Sequence, residues 1–79
     1  MKDLLSYLVQ SLVDQPEAVL VSQEEKDGAV LLSFEVDPQD MGKVIGKEGK
    51  IIKALRNVVK ILAIKEGKRV DIELKEAAL

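Results

Sequence analysis

Two glycines three residues apart, Gly46 and Gly49, break what would otherwise be one amphipathic helix from about Pro38 to Lys65. A glycine inside a helix costs roughly 1 kcal/mol against alanine, so a pair at this spacing marks a built-in corner. The chain must therefore place two helices around a loop whose glycines carry no side chain, where main chain can come close to a ligand. Lys43, Lys47, Lys50 and Lys53 ring that loop. Their charge points to an anion, and phosphate fits it best.

The remaining elements follow from periodicity. Leu4, Leu5, Leu8, Val9, Leu12 and Val13 recur at three- and four-residue intervals, which predicts a helix over residues 2–14 that Pro16 stops. Ala18–Glu24 and Ala29–Val36 are apolar runs on either side of Glu25-Lys26-Asp27-Gly28, and Asp-Gly between such runs signals a hairpin. In the second run Val30, Leu32, Phe34 and Val36 alternate with Ala29, Leu31, Ser33 and Glu35, so one face is buried and the other only partly so. Asp37 as N-cap, Pro38 at the first position and Asp40 in the first turn open a short helix reaching Ile45. A second helix runs from about Gly49 to Lys65. Ile51, Ile52, Leu55, Val58, Val59, Leu62 and Ala63 form its apolar face, opposite Lys50, Lys53, Arg56, Asn57 and Lys60. Glu66-Gly67 ends it, and Val70, Ile72 and Leu74 alternate with Asp71, Glu73 and Lys75 in a third strand.

The order is helix–strand–strand–helix–helix–strand. Its first two strands form an antiparallel hairpin, and the two central helices make a crossover long enough to bring the third strand parallel to the second. This predicts an α+β fold: a three-stranded mixed sheet with three helices on one face. At 79 residues the chain reads as one domain spanning residues 1–79.

Residue types absent from the chain exclude much chemistry. Cysteine and histidine are both missing, so no disulfide, thiolate nucleophile or imidazole base can form. Ser6, Ser11, Ser22 and Ser33 have no histidine to activate them, and Asp37 and Asp40 read as caps rather than an acid–base pair. Between Gly42 and Gly46-Lys47 stand three residues where a nucleotide-binding phosphate loop needs four, and Glu48 stands where Ser or Thr would hold magnesium. We expect neither catalytic nor metal-binding residues, no cofactor, and no enzymatic activity. The opening Met-Lys-Asp-Leu-Leu lacks the long apolar run of a signal peptide or membrane span, which points to the cytoplasm.

Net charge is only −2 but is polarised. Residues 1–40 hold Lys2 and Lys26 against nine acids, whereas residues 41–60 hold six bases against Glu48 alone. Such a field steers an anion to one face of a slightly acidic molecule.

Val44-Ile45-Gly46-Lys47-Glu48-Gly49-Lys50-Ile51-Ile52, set between two helices in this order of elements, resembles the Gly-x-x-Gly signature of a KH domain. The arrangement is that of type II, and the likeness extends over essentially the whole chain. Length and the single domain narrow it to the small bacterial single-KH RNA-binding proteins, the KhpA-like family. The resemblance implies binding of about four single-stranded nucleotides, with Gly46, Lys47, Glu48 and Gly49 against the sugar–phosphate backbone. Lys43, Lys50, Lys53 and Arg56 would supply flanking charge, and Ile45 would floor a groove for bases. Glu48 would weaken binding without abolishing it, and Lys60, farthest from the loop, would merely solvate the helix.

The resemblance further implies single-stranded RNA as partner, a role as post-transcriptional regulator or RNA chaperone, and a homodimer or a heterodimer with another KH-containing protein. The alternative is a protein–protein interaction module on the same scaffold with little RNA binding. The six aliphatics of the first helix either all cover the sheet or leave part of the stripe, Leu4, Leu8 or Val9, exposed to mediate self-association.

Overall fold

In the computed structural model, which describes residues 1–75, Asp27 and Gly28 both take positive φ, +53° and +78°. Two successive left-handed residues are what a two-residue hairpin turn requires. They join β1 (Leu20–Lys26) to β2 (Ala29–Glu35), antiparallel and in register from Leu20 opposite Glu35 to Lys26 opposite Ala29. The first strand begins at Leu20 rather than at Ala18. Pro16–Ala18 instead close a tight turn in which the Ala18 N–H donates to the Gln15 carbonyl at 3.0 Å and the Val19 N–H to Pro16 at 3.2 Å. Proline's fixed φ favours that turn over an extended start.

Among the described residues are three α-helices and three strands, joined by short tight turns. α1 (Lys2–Leu12) precedes the hairpin, and α2 (Met41–Ile45) and α3 (Lys50–Lys65) form the crossover to β3 (Arg69–Leu74). β3 lies parallel to β2, with Ala29 beside Arg69 and Phe34 beside Leu74, giving the order β1-β2-β3. The expected mixed sheet is present, with its helices on one face. Val30, Leu32, Phe34 and Val36 face those helices and meet Leu5 and Val9 of α1, Val44 of α2, Ile52, Leu55 and Val59 of α3, and Ile72 of β3. Complete burial of each such side chain stabilises by about 1.5–3 kcal/mol against exposure.

Local signals set the helix ends. The Asp37 carboxylate accepts the Gln39 N–H at 2.9 Å, the expected cap. Pro38–Asp40 form a single tight turn, and regular α-helix starts only at Met41. At the far end of α3, Gly67 takes φ +71°. Its N–H donates to Ile64, and the Lys68 N–H donates to Ala63 at 2.9 Å, a Schellman closure.

Two expectations about exposure need correction. Val9 is fully buried in the core between α1 and the sheet, and Leu4 and Leu8 are half-buried. Val58, assigned above to the apolar face, is 45% exposed because α3 turns Ile52, Leu55, Val59 and Ala63 to the sheet. Among the described residues, no helix is long and apolar enough to cross a membrane.

Candidate nucleic-acid interface

The corner at Gly46–Gly49 is built by backbone geometry. α2 ends where the Gly46 N–H donates to the Gly42 carbonyl at 2.9 Å, and the Gly49 N–H then closes a turn onto the Gly46 carbonyl at 3.2 Å. Gly46 (φ +76°, ψ 175°), Glu48 (φ +57°) and Gly49 (φ +73°) all have positive φ. The two glycines are required for different reasons. A Cβ at Gly46 would stand 2.5 Å from Ile51 Cγ1, whereas at Gly49 the nearest atom, Ile52 Cγ2, would be 3.9 Å away. Only the first forbids a side chain on contact grounds; both disfavour one by φ.

Lys47 and Glu48 project from this corner into solvent. Behind them α3 begins at Lys50 with no side chain capping its first N–H groups. An uncapped helix start carries partial positive charge and donors suited to an anion. Ile45, 36% exposed, and Lys53 flank the corner. Gly46, Lys47, Glu48, Gly49 and Lys50 are thus contiguous, with Ile45 and Lys53 adjoining them.

Lys43 stands apart from that group. Its ammonium bonds to the Asp14 carboxylate, and the Asp40 carboxylate lies 3.7 Å away. The Asp14 hydrogen bond, with the charges of Asp14 and Asp40 adding to it, raises the Lys43 pKa above its usual 10.5. Lys43 is therefore a partly neutralised strut rather than a free support for phosphate. Asp40 also departs from its expected role. It makes no side-chain cap; buried to 2% exposure, its Oδ2 accepts the Gln15 N–H at 3.0 Å, tying the link after α1 to the start of α2.

Lys68 makes a comparable pair, 2.8 Å from Glu25, and the hydrogen bond to Glu25 raises its pKa too. For a cation whose folded pKa lies above its unfolded value, the stabilisation is complete below the unfolded pKa and is lost as pH rises through the folded one. Both pairs are largely solvent-exposed, so their effect is small. The difference in urea midpoint between the protein and its Asp14→Asn or Glu25→Gln variant should hold level up to about pH 10 and shrink above 10.5. A difference that persists unchanged well above pH 10.5 would contradict the assignment.

Arg56 sits farther along α3 in a trough of about 390 Å³ between the helix and β3, lined also by Asn57, Lys60, Val70, Asp71 and Ile72. Among the described residues β3 hydrogen-bonds to β2 alone, so its outer edge presents unpaired main-chain groups along this trough. Lys60, expected only to solvate the helix, is exposed and also lines the trough beside Arg56. The signal was in the spacing, since Lys53, Asn57 and Lys60 follow one another at four and three residues and so share a helix face.

On the opposite flank of α3, Leu8 and Leu12 of α1 meet Ile51, Ala54 and Val58 in an apolar groove of about 400 Å³, with Lys50 at its margin. The interface residues thus divide the surface of α3 between a charged side toward β3 and an apolar side toward α1.

Comparison with known proteins agrees with this architecture. The profile of the family described as KhpA/KhpB, KH domain, matches residues 2–74. The RNA-binding protein KhpA of Clostridium perfringens is 50% identical over 74 residues, covering 94% of this chain and 99% of the relative. The RNA-binding protein KhpA of Listeria monocytogenes serovar 1/2a is 40% identical over 76 residues, covering 96% and 100%. Among solved structures, Aquifex aeolicus Era bound to GDP.AlF4- superposes with a TM-score of 0.62 at 18% identity, covering 95% of this chain and 29% of that one. Era in complex with MgGDPNP and nucleotides 1506-1542 of 16S ribosomal RNA gives 0.57 at 20% identity, again over 95% and 29%. At such identities the two Era structures share the fold alone.

Proposed function

Because the chain belongs to the KhpA/KhpB family of KH domains, we propose that it binds single-stranded RNA as one KH domain over residues 1–79, with the Gly46–Gly49 corner against the sugar–phosphate backbone. The observation carrying this reading is the corner itself: three positive-φ residues expose main chain beside Lys47, Lys50 and an uncapped helix start. Lys53 and Arg56 extend the charge toward β3, Ile45 offers apolar surface, and Lys43 contributes least because Asp14 holds it.

Affinity is modest on this reading. Aromatic stacking is worth about 1–3 kcal/mol per base, yet Phe34 lies in the core and Tyr7, 68% exposed, is on α1. A lone module without a stacking platform gains most from a second copy or another KH-containing protein, since linked weak sites bind together more tightly. Such a protein would act in the cytoplasm as a post-transcriptional regulator or RNA chaperone. A second reading, a protein-binding module with little RNA affinity, draws on the apolar groove between α1 and α3.

The test is the Lys47→Asp, Glu48→Asp double variant, titrated with single-stranded RNA at two salt concentrations. Aspartate tolerates the left-handed backbone of position 48, so the corner is retained. We expect about a tenfold loss of affinity and a salt slope smaller by about 0.7, the value per phosphate contact on a single strand. Unchanged affinity in a folded variant would remove the corner from the interface. Protein-complex formation indifferent to salt and to both residues would favour the second reading.

A further inference from the structure

The trough beside Arg56 does not end at Lys60. A second hollow of about 520 Å³ opens beyond it, bounded by Ala29, Ile64, Lys68 and Arg69, and the two share Lys60, Val70 and Asp71 as a common wall. We propose that this second hollow is a further nucleotide subsite, continuing the RNA track along the outer edge of β3 past the nucleotides held at the corner. The proposal rests on the RNA-binding reading above and extends it to residues outside the glycine corner.

Geometry sets the second hollow apart from the corner. From Lys50 to Ile64 the helix rises about 21 Å at 1.5 Å per residue. The second hollow, with Ile64 and Arg69, therefore lies at the end of α3 away from the corner.

Charge sorts the residues. Lys68 is already bonded to Glu25 at 2.8 Å, which leaves Lys60 and Arg69, both exposed, to take a backbone phosphate. Ile64, 66% exposed, and the half-buried Val70 give a base an apolar wall. Asp71, on the shared wall, repels a phosphate placed over it and accepts hydrogen bonds from exocyclic amino groups, as acidic side chains do with cytosine.

The experiment compares the protein with its Arg69→Gln variant, Arg69 lining the second hollow but not the first, using tetracytidylate and octacytidylate and fluorescence anisotropy at two salt concentrations. The extra binding registers of the longer strand affect both proteins alike and cancel in the comparison. Octamer affinity should fall about three- to fivefold in the variant, with a salt slope smaller by about 0.7, one phosphate. Tetramer affinity should stay within about twofold. Equal weakening of both lengths would reduce Arg69 to a general field, and no change in either would remove it from the track; each result overturns the subsite alone. Failure of the unaltered protein to bind either oligonucleotide would overturn the subsite together with the RNA-binding reading.

Discussion

Gly46→Ala is expected to destabilise the fold by about 2–5 kcal/mol, and Gly49→Ala by only about 1–2 kcal/mol. Both positions have positive φ, but they differ in ψ and in surroundings. Gly46, at φ +76° and ψ 175°, occupies a region open essentially to glycine, where another residue costs about 1–3 kcal/mol. Its added Cβ would also lie 2.5–2.9 Å from three Ile51 atoms, and overpacking of that kind costs about 1–3 kcal/mol. Gly49, at φ +73° and ψ 18°, is in the left-handed helical well, where an L-residue loses about 1–2 kcal/mol and nothing collides. A domain of this size has about 4–12 kcal/mol of stability in all. Each kcal/mol moves the melting temperature by about 4–8 °C. Thermal melts should therefore separate the variants clearly, and Ile51→Ala should restore part of the loss in Gly46→Ala. Equal melting temperatures, or no rescue, would sink the role given to Ile51.

Asp40→Ala should cost about 2–3 kcal/mol, more than Asp40→Asn. The carboxylate is 2% exposed and accepts the Gln15 N–H at 3.0 Å. A hydrogen bond to a charged group is worth about 1.5–3 kcal/mol, and a donor left unsatisfied in a partly buried place loses a comparable amount. Asparagine keeps an acceptor oxygen for Gln15 and gives up only the 3.7 Å pairing with the half-exposed Lys43, worth less than about 1 kcal/mol. Urea unfolding of the two variants measures the difference. Equal losses would place the stabilisation in charge alone, and no loss in the alanine variant would show that the link after α1 does not depend on Asp40.

The contrast between these residues explains what the sequence disclosed and what it hid. Element order was legible because each signal acts over a few residues. Asp27-Gly28 turned the hairpin, Asp37 capped the Pro38 turn, and Glu66-Gly67 closed α3. The glycine corner was legible for the same reason, since two glycines in a helical pattern require a local break. The contacts of Asp40 and Lys43 were hidden because their partners, Gln15 and Asp14, are 25 and 29 residues away in sequence. Only the packing of α1 beside α2 brings them together. The place of Lys60 beside β3 was hidden for the same reason, since that nearness is a property of the crossover. Val9 and Val58 show the same limit: an apolar stripe identifies a helix but not how far a neighbour will cover it.

The parallel ladder between β2 and β3 joins residues some 40 positions apart, Ala29 beside Arg69, and everything between them is the crossover that carries the glycine corner. During biosynthesis the hairpin can zip as soon as it emerges, since its pairing is local and such events take microseconds. The central strand must then wait for its second neighbour until the polypeptide has been extended through residue 74, an interval of seconds at about 5–20 residues per second. Throughout that interval Val30, Leu32 and Phe34 sit on an unzipped border, and the nascent chain has a folded hairpin but an unfinished surface along its last-formed side.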